Sequence, residues 1–317
     1  SVPISVSIVI GSIAAILLII PMDMAILTSA QKLVTGIDSF TLLAIPFFIL
    51  SGILMNNGGI AERLINFAKV LVGKMPGSLA HTNVLGNMLF GSLSGSSVAA
   101  AAAIGGVMGP LQKKEGYDPK FSAAVNIASA PTGLIIPPSG TLIIYSLVSG
   151  GTSVAALFIA GYLPGILWGF ACMVVGFFIA KRRKYPVSER VPFKIALKTF
   201  FDAIPSLMLI VIVIGGILGG IFTATEAAAV SVVYTLILSM VYRSVKFSDL
   251  PKIIMEAVEI TSVIMLLVAA SSVMSWVMAF TGIPTAISSL IVGISDNPII
   301  ILLILNLFLL FIGTFMD

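Results

Sequence analysis

The sequence predicts an all-α polytopic membrane protein with an inverted repeat, re-entrant helical hairpins and broken transmembrane helices. Three observations predict it. Of 317 residues, 58% are hydrophobic and 9% charged, with a mean hydropathy of +1.16. A soluble domain carries about 25% charged residues, so this chain cannot solvate its own surface and its solvent is lipid. Several runs approach or exceed the roughly 18 apolar residues of a spanning helix. Finally, glycine, serine and proline gather at two places inside the apolar runs, and the pattern leading to the first recurs near the end of the chain. A β-barrel would show short alternating segments instead.

The elements follow in order. Val2–Ile20 is the first span; Phe40–Met55 returns past Lys32, and Ala61–Lys74 is amphipathic. Residues 1–75 thus form scaffold helices and an interfacial arm. Residues 76–150 form a first core hairpin and a broken helix. Residues 151–203 hold a connecting span, Leu163–Ala180, and a second amphipathic arm, Phe193–Phe201. Residues 204–297 repeat the scaffold plan with Ile204–Phe222, Ala227–Tyr242, an arm at Leu250–Glu259 and a span at Ile260–Phe280, and residues 298–317 begin a second hairpin. The three arms suit helices lying in the interface, either as braces for a moving core or as plain surface anchors.

Charge sets the orientation. Every Lys and Arg except Lys32 falls in Arg63–Lys74, Lys113–Lys120, Lys181–Lys198 or Arg243–Lys252. Threading the spans puts all four clusters on one side, which the positive-inside rule makes cytoplasmic. The opposite loops carry Asp23, Lys32, Asp38, Glu226 and Asp296. This distribution, rather than nucleic-acid binding, accounts for the net charge of +4.

The threading requires Leu79–Leu111 to enter and leave on the same face. Leu79–Phe90 gives about 18 Å of helix, enough to reach the middle of a hydrocarbon core about 30 Å thick, and Val98–Leu111 returns. The stretch "FGSLSGSSVAAAAAIGG" is then the hairpin tip at mid-bilayer, where irregular backbone is tolerated only against protein or a watery cavity. The next segment, "ASAPTGLIIPPSGTLIIYS", places Pro131, Gly133, Pro137, Pro138 and Gly140 within a span and reads as two half-helices with an unwound centre.

The repeat is one of pattern and spacing. Gly59-Ile60 and Gly282-Ile283 each follow a span and open an amphipathic stretch. Pro76 and Pro298 come next, then apolar runs ending at Gly91 and Gly313, with the offset constant to within one residue. By the threading, the copies start on opposite sides, the inverted topology of many secondary transporters.

The candidate chemistry is ion and anion binding. Unwound carbonyls and hydroxyls supply hard oxygen ligands without a buried fixed charge, and half-helix C-termini add negative dipole. Ser92, Ser94, Gly95, Ser96 and Ser97 at the tip, and Pro131, Thr132, Gly133, Pro137, Pro138 and Ser139 at the break, are the candidates, with Asn126 on the approach. Half-helix N-termini at Val98 and Ser139 can face an anionic substrate. Packing of small residues is the alternative reading of the serines. Gly313, Thr314 and Asp317 fall near the tip of the second hairpin, and an ionisable residue at mid-bilayer is a functional candidate. Other motifs read as structural. Thr223-x-x-Glu226 is a capping box, His81 lies at the hairpin base, and Cys172 is a small apolar helix residue. Gly161, Gly165 and Gly169, with the pairs Gly215/Gly219 and Gly216/Gly220, are close-packing faces. A Ser94–His81 nucleophile pair fails, since the two are on the order of 18 Å apart along a helix. No nucleotide, haem or metal-cluster motif is present, and no enzyme activity is expected.

At these residues a family resemblance becomes specific. "LFGSLSGSSVAAAAAIGGVMGPLQKKEGYDP", "LIIPPSGTLIIYS", "LFIAGYLPG", "GGIFTATEAAAV" and "GTFMD" occur in this order, and the chain resembles, over its whole length, the large membrane subunit of tripartite ATP-independent periplasmic (TRAP) transporters. The resemblance implies an elevator-type, sodium-coupled organic-acid symporter of the bacterial inner membrane, with sodium as coupling ion and no other cofactor. It implies two partners, a small four-helix membrane subunit and a periplasmic substrate-binding protein. Typical substrates would be dicarboxylates, keto acids, sugar acids and sialic acids. By match, sodium ligands fall at Ser94, Ser96, Ser97, Thr132 and Asp317. Two departures stand out. Ala100 occupies a position where many members carry Asp, and members continue for roughly another hundred residues. With the start at "SVPIS" and the stop inside an apolar run, both ends are expected to be cut. The alternatives are a stand-alone sodium–carboxylate symporter and, more remotely, a channel or an intramembrane protease.

Overall fold

Prolines and glycines set most element boundaries. In the computed structural model, which describes residues 2–187, 191–295 and 297–315, α1 (Ile4–Leu17) starts after Pro3, and Pro21 opens α2 (Met22–Thr35). α1 is thus about 21 Å long, shorter than the run Val2–Ile20 suggests, because the chain turns at Leu18–Ile20 to reach Pro21. A 3-10 turn at Phe40–Leu43 leads into α3 (Ala44–Asn57). Gly59, at φ +70°, redirects the chain into α4 (Ile60–Val72). Then come α5 (Ser78–Ser94), α6 (Ser97–Lys114), α7 (Pro119–Ser129), the single turn α8 (Thr132–Ile135) and α9 (Gly140–Val148). Six longer or terminal helices complete the order: α10 (Val154–Arg183), α11 (Phe193–Leu218), α12 (Ala224–Val241), α13 (Leu250–Phe280), α14 (Ile283–Val292) and α15 (Pro298–Phe315). Among the described residues there is no strand.

Five helical segments are long and apolar enough to cross a bilayer: Phe40–Asn57, Val154–Arg183, Phe193–Leu218, Ala224–Val241 and Phe247–Phe280. The bent pair Pro119–Ile135 and Gly140–Val148 makes a sixth. Two of the expected interfacial arms are not separate helices. Phe193–Phe201 is the first part of α11, and Leu250–Glu259 the first part of α13. Only Ala61–Lys74 stands apart, as α4 and the turn that ends it. The reason lies in the breakers: Gly73 and Gly77 end α4 and reset the chain, whereas Pro205 is absorbed inside α11. A charge pattern alone does not distinguish an extended span from a flat arm.

The chain divides into two units, Ser1–Asp38 with Val263–Asp317, and Ser39–Ser262. The first has a small apolar cluster of Ile16, Ala25, Val273 and Val277. The second carries the main core, in which Phe48, Phe90, Leu93, Phe158 and Leu209 are buried together. Within it, α3 and α12 approach through small polar residues. Ser51, Thr235 and Ser239 are buried, and the Ser51 and Thr235 hydroxyls lie 3.4 Å apart. The Ser239 hydroxyl donates to the Leu54 carbonyl at 3.4 Å. Small and hydroxylated faces of this kind let helices meet closely in lipid.

The paired glycines of the sequence repeat share a local conformation. Gly59 (φ 70°, ψ 13°) precedes α4 and Gly282 (φ 69°, ψ 12°) precedes α14. Lacking Cβ, both enter the left-handed region without strain.

Candidate ion and substrate site

α5 and α6 form an antiparallel hairpin. At its base the Gln112 side chain donates to the Leu79 carbonyl at 3.2 Å, and midway a methyl on Gly86 would lie 3.3 Å from Ile104. The turn is tighter than the sequence suggests. α5 runs through Ser94, Gly95 closes it at φ +63° with its N–H on the Gly91 carbonyl at 2.8 Å, and Ser96 caps α6. Only Gly95 and Ser96 are non-helical. The Ser96 hydroxyl accepts from the Ala99 N–H at 3.3 Å, one of the donors a helix start leaves unpaired. Ser92 lies inside α5 and donates back to the Leu89 carbonyl at 2.9 Å. Ser94 donates to the Ser96 carbonyl at 3.4 Å, and Ser97 opens α6.

The second broken segment bends by 50°. Pro131 leads into the turn α8, so Thr132 and Gly133 are helical, and the extended part is confined to Ile136–Ser139. The Thr132 hydroxyl donates to the Ser129 carbonyl at 2.6 Å. The Pro137–Pro138 peptide is cis. Ser139 caps α9, accepting from the Leu142 N–H at 3.3 Å while donating to the Leu134 carbonyl.

Tip and break meet backbone to backbone. A methyl on Gly95 would lie 3.0 Å from the Pro138 carbonyl oxygen and 3.4 Å from the Gly140 nitrogen. One turn back, a methyl on Gly91 would fall 2.3 Å from the Gly133 Cα, and one on Gly133 would fall 2.7 Å from the Gly91 Cα. The C-terminus of α5 and the N-termini of α6 and α9 converge there. Unpaired carbonyls and negative dipole suit a cation, and unpaired N–H groups and positive dipole suit an anion. The surroundings are closed by α10, where methyls on Gly161, Gly165 and Gly169 would come within 2.4 Å of Ile135, Ile136 and Met88. On another side, a methyl on Gly52 of α3 would meet Ser94 at 3.0 Å. The α10 glycines are therefore internal packing. Ala100 is fully buried, its Cβ facing Gly91.

Two turns below the tip lies a polar layer of which the sequence reading picked out only Asn126. The Asn126 side chain donates to the Ala101 carbonyl at 2.9 Å and receives Asn83 and Asn87, each at 3.1 Å. Asn87 also donates to the Ser129 hydroxyl at 2.8 Å. Asn83, Asn87 and Ser129 are each no more than 1% exposed. The signal was present: polar residues one turn apart at Asn83 and Asn87, on a segment already read as re-entrant.

At the hairpin base, outside the spans, the Asp118 carboxylate pairs with the Arg183 guanidinium at 2.7 Å. It is held below the usual carboxylate range, first by the Lys120 backbone N–H and then by Arg183. Burial pushes the neighbouring Tyr117 phenol up to about 12. His81 is buried, with Nε2 3.2 Å from the Pro76 carbonyl oxygen. The Thr223–Glu226 capping box is formed.

The structure thus gathers Ser94–Ser97 with Gly133 and Pro138–Gly140 into one junction, with Thr132, Pro131 and Pro137 in the same broken segment and Asn126 in the layer below. Gly313 and Thr314 lie exposed on α15, where Thr314 donates to the Leu310 carbonyl at 2.9 Å. Asp317 lies outside the described residues.

The family profile for the tripartite ATP-independent periplasmic transporter, DctM component, matches residues 1–317. The chain is 56% identical over 316 residues to YgiK of Salmonella typhimurium, covering all of this chain and 73% of that protein. It is 42% identical over 306 residues to the sialic acid TRAP transporter large permease protein SiaM of Vibrio cholerae, covering 96% and 71%. With the C4-dicarboxylate TRAP transporter large permease protein DctM of Pseudomonas aeruginosa it shares 40% identity over 289 residues, covering 91% and 67%.

Proposed function

The chain belongs to the family of the DctM component of tripartite ATP-independent periplasmic transporters, and on that premise we propose that it is the large membrane subunit of a sodium-coupled organic-acid symporter. The substrate is a carboxylate or sugar acid of the kind named for its relatives, sialic acid and C4-dicarboxylate. It works in a bacterial inner membrane with a small four-helix subunit and a periplasmic binding protein. The sodium gradient supplies the energy, and the core slides as an elevator between inward and outward positions.

The approach of Gly95 to Pro138 and Gly140 carries this reading. It brings uncharged backbone oxygens and hydroxyls into one buried place, the donor set a sodium ion takes without a fixed counter-charge. Sodium between Ser94, Ser96, Ser97 and Thr132 ties tip to break, and the ordered junction presents the N-termini of α6 and α9 to the substrate carboxylate. The matching conformations of Gly59 and Gly282 support an inverted repeat.

The test is uptake by the full-length protein, co-reconstituted with its small subunit into proteoliposomes and offered labelled organic acids. Uptake that needs both an inward sodium gradient and the binding protein is the expected result. Sodium-dependent uptake without the binding protein would make it a stand-alone symporter. Uptake indifferent to sodium would remove the ion from the Gly95–Pro138 junction.

A further inference from the structure

A cleft of about 480 Å³ runs between α7 and α10 and reaches Pro131 of the broken segment at one end. The two helices are antiparallel: Trp168 donates its indole N–H to the Ala128 carbonyl at 2.8 Å near one end, and Arg183 pairs with Asp118 at the other. On α10 the cleft is lined at Trp168, Ala171, Cys172, Val175 and Ile179, a single helical face. Phe121 to Ala128 of α7, with Pro131 just beyond it, supplies the opposite wall, about 15 Å from end to end. No charged residue lines it. Ala124, Ala128 and Ala171 are exposed, so it opens sideways along a membrane span rather than into the core.

One end differs sharply. The α10 face that lines the cleft continues onto Arg182 and Arg183, beside Lys181 and Lys184, and the α7 wall begins next to Lys120; all five are exposed. Arg183 is committed to Asp118. Among the described residues Arg182, Lys181, Lys184 and Lys120 make no ion pair. A ligand that fits must therefore be apolar over about 15 Å and anionic at one end, which describes an anionic phospholipid. A zwitterionic lipid would fill the same cleft but leave the basic end unmatched.

We propose that the α7–α10 cleft binds one anionic phospholipid, with an acyl chain along Cys172 and Val175 and its phosphate on Arg182. The guanidinium can pair two phosphate oxygens at once, and Lys181 and Lys120 add attraction of the kind basic pockets exert on lipid headgroups. The proposal does not depend on what the protein transports.

The experiment uses the full-length protein in nanodiscs of phosphatidylcholine. These are doped with photoreactive phosphatidylglycerol or photoreactive phosphatidylcholine, the diazirine placed identically in the acyl chain. Crosslinks are mapped by peptide mass spectrometry. The expected result is phosphatidylglycerol labelling concentrated on the peptides of Phe121–Pro131 and Trp168–Ile179, with little from the phosphatidylcholine probe. Arg182→Gln weakens that labelling by about tenfold, the loss of one charge-assisted pair. Ala171→Phe, which fills an exposed part of the cleft wall, abolishes it, whereas Lys252→Gln, an equal change of charge on α13, leaves it unchanged. Thermal melts confirm that each variant is folded. Equal labelling by both probes, or equal loss in Lys252→Gln, overturns the proposal in favour of general attraction to an anionic surface. An unlabelled cleft overturns it in favour of a covering protein segment.

Discussion

The tip of the first hairpin and the asparagine layer two turns below it hold the same two elements together by opposite means. At the tip, Gly91 fits against Gly133 and Gly95 against Pro138 because no Cβ intervenes. Among the described residues no hydrogen bond joins Ser92–Ser97 to Pro131–Gly140. In the layer below, Asn83, Asn87, Asn126 and Ser129 make a chain of side-chain hydrogen bonds. The first junction fails when an atom is added and the second when one is removed. The sodium site we propose lies at the first, where Gly95 meets the Pro138 carbonyl oxygen.

The strongest way to break this contrast is to add a methyl at the tip. Gly91→Ala puts a Cβ 2.3 Å from the Gly133 Cα, a backbone atom with little room to move. We expect a loss of about 3 kcal/mol in stability, the upper range for an overpacked interior, and no sodium-dependent uptake. Thermal unfolding and proteoliposome uptake measure both, and a wild-type melting temperature for Gly91→Ala would end the interlock account.

Removing atoms from the layer comes next. Asn126→Ala strands the Asn83 amide, whereas Asn87 keeps the Ser129 hydroxyl; the loss costs about 2 kcal/mol, typical of a buried group left without a partner. The protein that remains folded should keep its wild-type sodium dependence. A changed half-saturating sodium concentration would show that the layer belongs to the ion site. Ser96→Ala has a smaller effect, about 1 kcal/mol for a lost helix cap. Here the sodium requirement should rise, and Ser96→Thr, which retains a capping hydroxyl, should restore stability.

The smallest effect lies at the hairpin base, remote from both junctions. The Asp118 carboxyl titrates lower in the folded protein than unfolded, held there first by the Lys120 N–H and then by Arg183. Its contribution is therefore fully present above the unfolded value of about 3.9 and is lost as pH falls through the folded value. Melting temperatures of the parent protein and Asp118→Asn should differ by a constant amount from neutral pH down to about pH 5, and converge below about pH 4. Convergence at neutral pH would mean that the Asp118–Arg183 pair contributes nothing.

Much of this architecture is legible in the residues. Hydropathy gives spans at Phe40–Met55, Leu163–Ala180 and Ala227–Tyr242, which fall on the apolar helices Phe40–Asn57, Val154–Arg183 and Ala224–Val241. Matched basic clusters at Lys74 and Lys113 force the chain to turn back, which makes the hairpin. Glycine and proline mark the break. The remainder required coordinates because it depends on which side chains meet across elements. Nothing local distinguishes Gly91, whose partner is 42 positions away at Gly133, from Gly106, which would have nothing within 4 Å of a methyl. The asparagine layer escaped for the same reason, its members being ordinary polar residues until α5 and α7 are set side by side. The extent of the unwound tip was overestimated because serine and glycine were read as irregular backbone, whereas a helix in a packed interior tolerates both and leaves only Gly95 and Ser96 outside it.

The Gly91–Gly133 contact has a consequence in the language of suppressor genetics. Most core clashes can be relieved by shrinking the neighbour, so a harmful large residue finds a second-site partner that restores the fit. Here both residues already have the smallest side chain in the alphabet. A screen seeded with Gly91→Ala or Gly133→Ala should recover true revertants, or changes that shift whole helices, and never a compensating substitution at the other member of the pair.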